Sequence, residues 1–527
     1  MLPVINSTIP VQSHAQIEEE LRLFESRERV RLGLDEQPVT PWSDPNPQSF
    51  RSHERKSTTI LVGGLTLAHD TLIQSALQGL GYRVDMLDSS DTRALHVGKE
   101  FGNRGQCNPT YFTVGNLVKR LIEMRDVLGI PVEKIERDYL FLTAGSCGPC
   151  RFGTYVTEYR KALRDAGFEH FRVLLFQQSA GIKQATGSDA GLALTPTFFL
   201  QLLKAVLAGD VLNIIGYRIR PYEVVPGATD AALQQSRRIL SEALRCRGSV
   251  LLALRRCRQL LAIVNVNRLQ PKPKVMIIGE FWAMTTEGDG NYRLQRFLEG
   301  EGAEVDIQPI AAWILYLIWE VQHDTRRRLK LRDVDPARNG DTPANGQFLL
   351  AKLWAAERAV RVMFRSFAVA IGLGHYQLPD MSRIAEIARD FYDVELRGGE
   401  GHMEVGKLIE AVTNQKAHMV ISVKPFGCMP SASVSDGVQA SVVTRHPDAI
   451  FCAVETTGDG AVNFQSRVQM FLFKARQKAR AEFEASLLQR GMSLEAAENR
   501  SKRRKKTACY YPSHTVAGTG ANQVLES

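Results

Sequence analysis

Long apolar runs are scarce in this 527-residue chain, and the common signatures of nucleotide binding are missing. The N-terminus, MLPVINSTIPVQSH, has neither the basic flank nor the apolar stretch of a secretory signal, so a cytoplasmic protein is expected. The longest candidate for a membrane span is Ile310 to Trp319, ten residues closed by Glu320. A helix needs roughly 20 residues to cross the hydrocarbon, so this run reads as a buried helix and no membrane partner is expected. No G-x-x-x-x-G-K-S/T loop occurs, and GDG at 288–290 falls short of G-x-G-x-x-G, although it could place a phosphate at the next helix N-terminus. Cysteines number only eight, and without a signal they are not expected to form a disulfide framework. Metal binding or redox work is what remains for them.

What is present is an ordinary globular composition. Hydrophobic residues at 44% and charged residues at 23% exclude wholesale disorder and a membrane bundle alike. One core stops growing at roughly 250–300 residues, so three domains are expected. The net charge of +9 is concentrated: residues 474–506 hold eleven basic and four acidic residues, and the rest of the chain is nearly neutral. No aromatic platform accompanies these charges, so the run reads as a solvated face, and nucleic acid is not expected as a partner.

Along the chain, residues 1–57 join a short charged helix to a proline-rich connector, PVTPWSDPNP, and are expected to lie over the surface of the α/β region beyond them. From Thr58 the apolar runs TTILVGGL and YRVDML flank the helical HDTLIQSALQGLG, which is a βαβ unit and implies a parallel sheet. The strand YLFLTAG (139–145), the helix RFGTYVTEYRKALRDAG and the strand FRVLLFQQ complete a first α/β lobe over 58–194. A helical region covers 195–270. A second Rossmann-like start, KVMIIGEFW (274–282), opens a lobe over 271–465 that closes with HMVISVKPFG and AIFCAVET, and 466–527 reads as a basic helix and tail. The expected fold is therefore α/β, with two Rossmann-like parallel-sheet lobes joined by a helical region; the resemblance given below adds a cysteine cluster site between them. The second lobe reads as a distant duplication of the first.

Three cysteines share one local grammar: Cys107-Asn-Pro109, Cys147-Gly-Pro149 and Cys428-Met-Pro430, each opening a predicted helix, the latter two directly after a strand. Loops after the strands of a parallel sheet collect along one edge, where ligands bind, so cysteines far apart in sequence can converge there. A thiolate at a helix N-terminus is favoured by unpaired amides, and a depressed pKa is expected. Structural zinc sites use paired knuckles, whereas a single C-x-x-C occurs here and the other two cysteines lie 40 and 278 residues from it. Iron–sulfur clusters tolerate dispersed thiolates, and a [4Fe–4S] unit held by three cysteines leaves one iron open.

A local alternative stays open, because strand, Cys147-Gly-Pro-Cys150, helix is also the arrangement of a thioredoxin-type dithiol, though Ser146 stands where that motif has Trp. Cys150 is either a fourth ligand or a buried helix residue. Cys246, Cys257, Cys452 and Cys509 read as buried or incidental thiols. GGEGHMEVGK (398–407) places Glu400, His402 and Glu404 at a glycine-rich turn that reads as a helix entry lining a cleft.

The segments QCNPTYFTVG, TAGSCGPCRFGTY, RPYEVVPGATD and SVKPFGCMPS resemble the 2-hydroxyacyl-CoA dehydratase and benzoyl-CoA reductase superfamily, in the activase-associated branch of the 2-hydroxyglutaryl-CoA dehydratase D-component. The resemblance spans roughly 58–470 and is most specific at the cysteine motifs. It implies two Rossmann-like lobes enclosing an iron–sulfur cluster, either [4Fe–4S] or of the double-cubane type, with Cys107, Cys147 and Cys428 as ligands. It further implies low-potential electron transfer to a small-molecule or acyl-CoA substrate, by ring reduction or radical dehydration, in a homo- or heterodimer. No D-x-G-x-T phosphate loop of a fused ATPase is present, so an ATP-hydrolysing activator is expected in trans. A metal-stabilised scaffold that binds a partner through 474–506 is the non-catalytic alternative.

Overall fold

Short apolar runs bounded by glycine and alternating with helices give two parallel sheets, and each sheet takes its strands in the same spatial order. The computed structural model describes residues 14–34, 50–145, 150–177, 191–330, 343–374, 376–396, 400–503 and 506–526. In the first sheet β1 (Thr59–Val62), β2 (Arg83–Met86), β3 (Tyr139–Gly145) and β4 (Arg172–Gln177) lie in the order β2-β1-β3-β4. In the second, β5 (Lys274–Gly279), β6 (Glu304–Ile307), β7 (Met419–Pro425) and β8 (Ile450–Thr456) lie in the order β6-β5-β7-β8. All six pairings are parallel. Helices cover both faces, which is why β7 is buried at all seven positions, Ser422 and Lys424 included. Each sheet reverses its strand order beside its first strand, and that crevice is where ligands bind in such folds.

Between the lobes sits a helical core built from two separate stretches of chain. Helices Pro196–Ile219, Ala228–Arg245 and Val250–Ala262 pack with Ile310–Lys330 and Pro343–Ile371. The helical region expected at 195–270 thus gains two helices whose sequence position assigns them to the second lobe. A second correction concerns apolar length. Among the described residues, Pro196–Tyr222 and not Ile310–Trp319 is the helical stretch long and apolar enough to cross a membrane by composition, and 61% of its most apolar window is buried inside the fold. Asp210 explains how a charged residue sits in its middle. Its carboxylate accepts the amides of Ile310 and Ala311 at 2.7 and 2.8 Å and contacts His69 Nε2 at 3.2 Å, so one buried carboxylate caps a helix and ties three segments together.

The last residues are not the basic tail that their composition suggests. Helices Ala461–Gln489 and Leu494–Arg503 carry the basic run, but Ala508, Cys509, Ala517, Ala521 and Val524 are buried. The strap they form is anchored on the second sheet at Glu304, the first residue of β6. Its carboxylate accepts the hydroxyls of Tyr222 at 2.8 Å, of Thr519 at 2.5 Å and of Tyr511. Burial alone would raise the Glu304 carboxyl, but Lys274 and these three hydroxyls outweigh it and hold the group below the usual carboxylate range.

Residues 1–45 form a unit of their own. Its described helix, His14–Arg31, carries exposed ion pairs at helical spacing, Arg29 with Glu25 and Arg31 with Glu28.

Helix Thr92–Phe101 crosses helix Asn108–Asp126 at two glycines. A methyl group on Gly115 would lie 1.9 Å from the Ala94 carbonyl oxygen, and one on Gly98 would lie 1.8 Å from that of Tyr111. Both contacts are to backbone, so the helices must separate. Gly115→Ala is expected to destabilise the chain by about 1–3 kcal/mol, read as a lower urea midpoint. An unchanged midpoint would show that the crossing is loosely packed.

Candidate functional site

Loops that come after strands of the first sheet are hydrogen-bonded to loops that come after strands of the second. Asp289 N–H donates to the Ser90 carbonyl at 2.9 Å, and the Asp289 carboxylate accepts Thr92 N–H at 3.0 Å. The GDG turn offered by the sequence as a phosphate cradle is therefore closed by its own aspartate, which reinforces the cap of helix Thr92–Phe101. The short helix Phe281–Thr285 follows β5 directly and takes up the end of the KVMIIGEFW run.

At the switch point of the second sheet the stitching is tighter. Phe426 donates its N–H to Thr456 O at 2.9 Å and accepts Asn108 N–H through its carbonyl at 2.9 Å. The first-lobe helix that begins after Cys107 thus starts against the loop leaving β7. Gly427 adopts φ +78°, and a methyl group there would lie 3.1 Å from Cys107 Cα, so glycine serves both the left-handed turn and the close approach. Two of the three Cys-x-Pro turns meet through this contact. Cys107 caps helix Asn108–Asp126 with Pro109 in its first turn, and Cys428 caps the five-residue helix Met429–Ser433.

Cys107 is buried, with its sulfur 3.1 Å from Thr110 Oγ1 and 2.9 Å from Tyr155 Oη. Tyr155 belongs to the helix Tyr155–Asp165, which comes after the C-x-x-C segment in the chain. Burial and the neighbouring Cys107 raise the Tyr155 phenol, and Glu280 acts on it as well. Cys147 lies outside the described residues. Cys150 is half-buried at the start of the turn Arg151–Thr154. Among the described residues no group of three His, Cys, Asp or Glu side chains stands ready to hold a metal ion.

The depressed thiol expected at Cys428 is not found. Burial pushes this thiol well up, and Glu280 and Glu400 add to the effect. A helix of five residues has too little dipole to oppose two nearby carboxyls in a buried site. Those carboxyls form a cluster. Glu280, directly after β5, accepts the amides of Trp282 at 3.1 Å and Ala283 at 2.8 Å. Glu400 accepts Phe281 N–H at 2.6 Å, and Glu404 accepts from Ser422 Oγ at 2.6 Å and Gln439 Nε2 at 2.9 Å. His402 packs edge-on against Trp319 with ring centroids 4.4 Å apart. The described part of that segment, 400–407, is thus a helix entry, as expected, and Glu400 and Glu404 are buried.

Burial is the main cause that raises Glu280 to about 7, and burial with repulsion from Glu280 raises Glu400 well above the usual range. A raised carboxyl stabilises the fold fully below its unfolded value, 4.5, and that contribution is lost as pH rises through about 7 for Glu280. The metal-free chain is therefore expected to lose on the order of 3 kcal/mol from this residue between about pH 4.5 and pH 8. Glu280→Gln should flatten the fall of melting temperature over that window. Equal slopes in the two proteins would show that Glu280 is not the titrating group.

Two buried polar atoms beside the stitched loops have no protein hydrogen-bond partner, Asn108 Nδ2 and Thr456 Oγ1. Two cysteines brought together at a rim that leaves a donor and an acceptor unsatisfied fit a bound polar group there. Sequence reasoning alone misses Glu280, which reads as the end of a strand, and Tyr155, whose distance from Cys107 in the chain hides the contact. Neither a protein-family model nor a curated protein sequence matches this chain.

Proposed function

We propose that Cys107, Cys147 and Cys428 hold an iron–sulfur cluster between the two lobes, with Cys150 as the candidate fourth ligand, and that the protein passes a low-potential electron to a bound substrate. The observation that carries this reading is the hydrogen bond from Asn108 N–H to the Phe426 carbonyl, since it brings two dispersed Cys-x-Pro turns to one rim. When bound, such a cluster supplies one-electron chemistry at a potential set by surrounding charge, hydrogen bonds and burial.

The chain's own residues suit that task. Tyr155 and Thr110 can donate hydrogen bonds to the Cys107 sulfur, which orients that ligand and tunes the potential of a bound cluster. Burial of Glu400 and Glu280 keeps protons available at the rim, which a reduction consumes. The electron would come from an ATP-hydrolysing activator in trans, and the acceptor would be a small molecule or an acyl-CoA on a homo- or heterodimer. Anaerobic reconstitution with iron and sulfide, followed by metal counting and electron paramagnetic resonance, tests the reading. About four irons and four sulfides per chain with a reducible signal support it. Colourless protein after reconstitution would end it.

A further inference from the structure

A second feature lies on the same edge of the fold but shares no residue with the cysteine rim. A cleft of about 480 Å³ opens beyond β1, between the start of helix Leu67–Gly79, helices Pro196–Ile219 and Ala228–Arg245, and the loop around Glu287. That volume is in the range of small-molecule sites, and its place at the carboxyl edge is where parallel sheets bind ligands.

Three arginines line the cleft, and their pairings differ. Arg220 is held by Glu299 at 2.7 and 3.0 Å and by Asp230 at 3.0 Å. Arg296 forms a fork on Asp230 at 2.9 and 3.0 Å. Arg237 is half-buried and, among the described residues, makes no ion pair or hydrogen bond. Burial pulls its guanidinium down, with Glu287 and Asp230 acting from a distance in the other direction. A half-buried guanidinium without a partner is left incompletely satisfied, and its planar fork suits a carboxylate or phosphate.

Across from it, Glu287 accepts Leu67 N–H at 2.6 Å through one oxygen. Its other oxygen remains available to accept from a ligand hydroxyl. Tyr217, buried against the core of the second sheet, supplies an apolar wall. We propose that this cleft binds a small organic oxyanion bearing hydroxyls, with Arg237 on the anionic group and Glu287 on a hydroxyl.

Isothermal titration of the full metal-free chain with glycerol 3-phosphate and with glycerate tests this. Propyl phosphate and propionate serve as the hydroxyl-free counterparts. Saturable binding of glycerol 3-phosphate or glycerate is expected, and which of the two binds tells phosphate from carboxylate chemistry. Arg237→Gln should weaken that binding by at least about tenfold. Glu287→Gln should narrow the preference over the hydroxyl-free counterpart. Melting curves on both variants establish that they remain folded. Absence of saturable binding, or an affinity unchanged in Arg237→Gln, overturns the site, and an undiminished hydroxyl preference in Glu287→Gln overturns the role given to Glu287. Because the metal-free chain is used, failure here leaves the thiol reading standing.

Discussion

Cys428→Ala and Cys107→Ser, reconstituted anaerobically alongside the parent chain, are expected to retain less than about one iron where the parent holds about four. Serine at 107 keeps a hydroxyl for Thr110 and Tyr155, so loss of iron in that variant reports the sulfur and not a collapsed hydrogen-bond set. Cys246→Ala is the matching control, because Cys246 is exposed on the helical region and only its Glu242 contact is removed. The metal-free variants should melt within about 1 kcal/mol of the parent. Iron retained in both rim variants would remove these thiols from the site, whatever the fate of Cys147.

Glu304→Ala should have the largest effect on stability. It removes a buried carboxylate while leaving Lys274, Tyr222, Tyr511 and Thr519 packed around the vacancy. Breaking one partner of a buried charged set typically costs about 3–5 kcal/mol. Native stability is about 5–15 kcal/mol, so soluble yield should fall sharply. Tyr511→Phe removes a single hydroxyl and should cost about 1–2 kcal/mol, read from the denaturant midpoint. Linkage gives a further signature. The Glu304 carboxyl is held down in the folded chain, so its contribution is complete above the unfolded value of 4.5 and is lost as pH falls through its lower folded value. A parent chain whose acid unfolding is unaltered by Glu304→Gln would show that the anchor contributes little.

The strands are legible because their signals are local. VMIIG and MVISV are apolar on both faces and are bounded by turns, as a strand covered by helices must be. The Cys-x-Pro turns are legible as helix starts for a similar reason, since proline in the first turn is a short-range preference. The pairing of helix Ile310–Lys330 with Pro196–Ile219 is not, because it depends on Asp210 reaching amides a hundred residues away. The thiol of Cys428 is misjudged from sequence on the same account. The helix dipole can be read from its own turn, whereas Glu280 and Glu400 arrive from elsewhere in the chain and act at close range in a buried site. Arg237 carries no signal at all, since only the folded chain reveals which arginine its neighbours leave unpaired.

The strap across β6 also sets an order of events during synthesis. Glu304 begins the edge strand of the second sheet, but Thr519, one of the hydroxyls that satisfy its carboxylate, is translated 215 residues later. Until that segment has been made, the Glu304 carboxylate lacks two of the three hydroxyls that satisfy it, those of Tyr511 and Thr519. The second lobe therefore reaches its mature packing only after Thr519 has been added, and until then this unsatisfied charge leaves it open to chaperones and proteases.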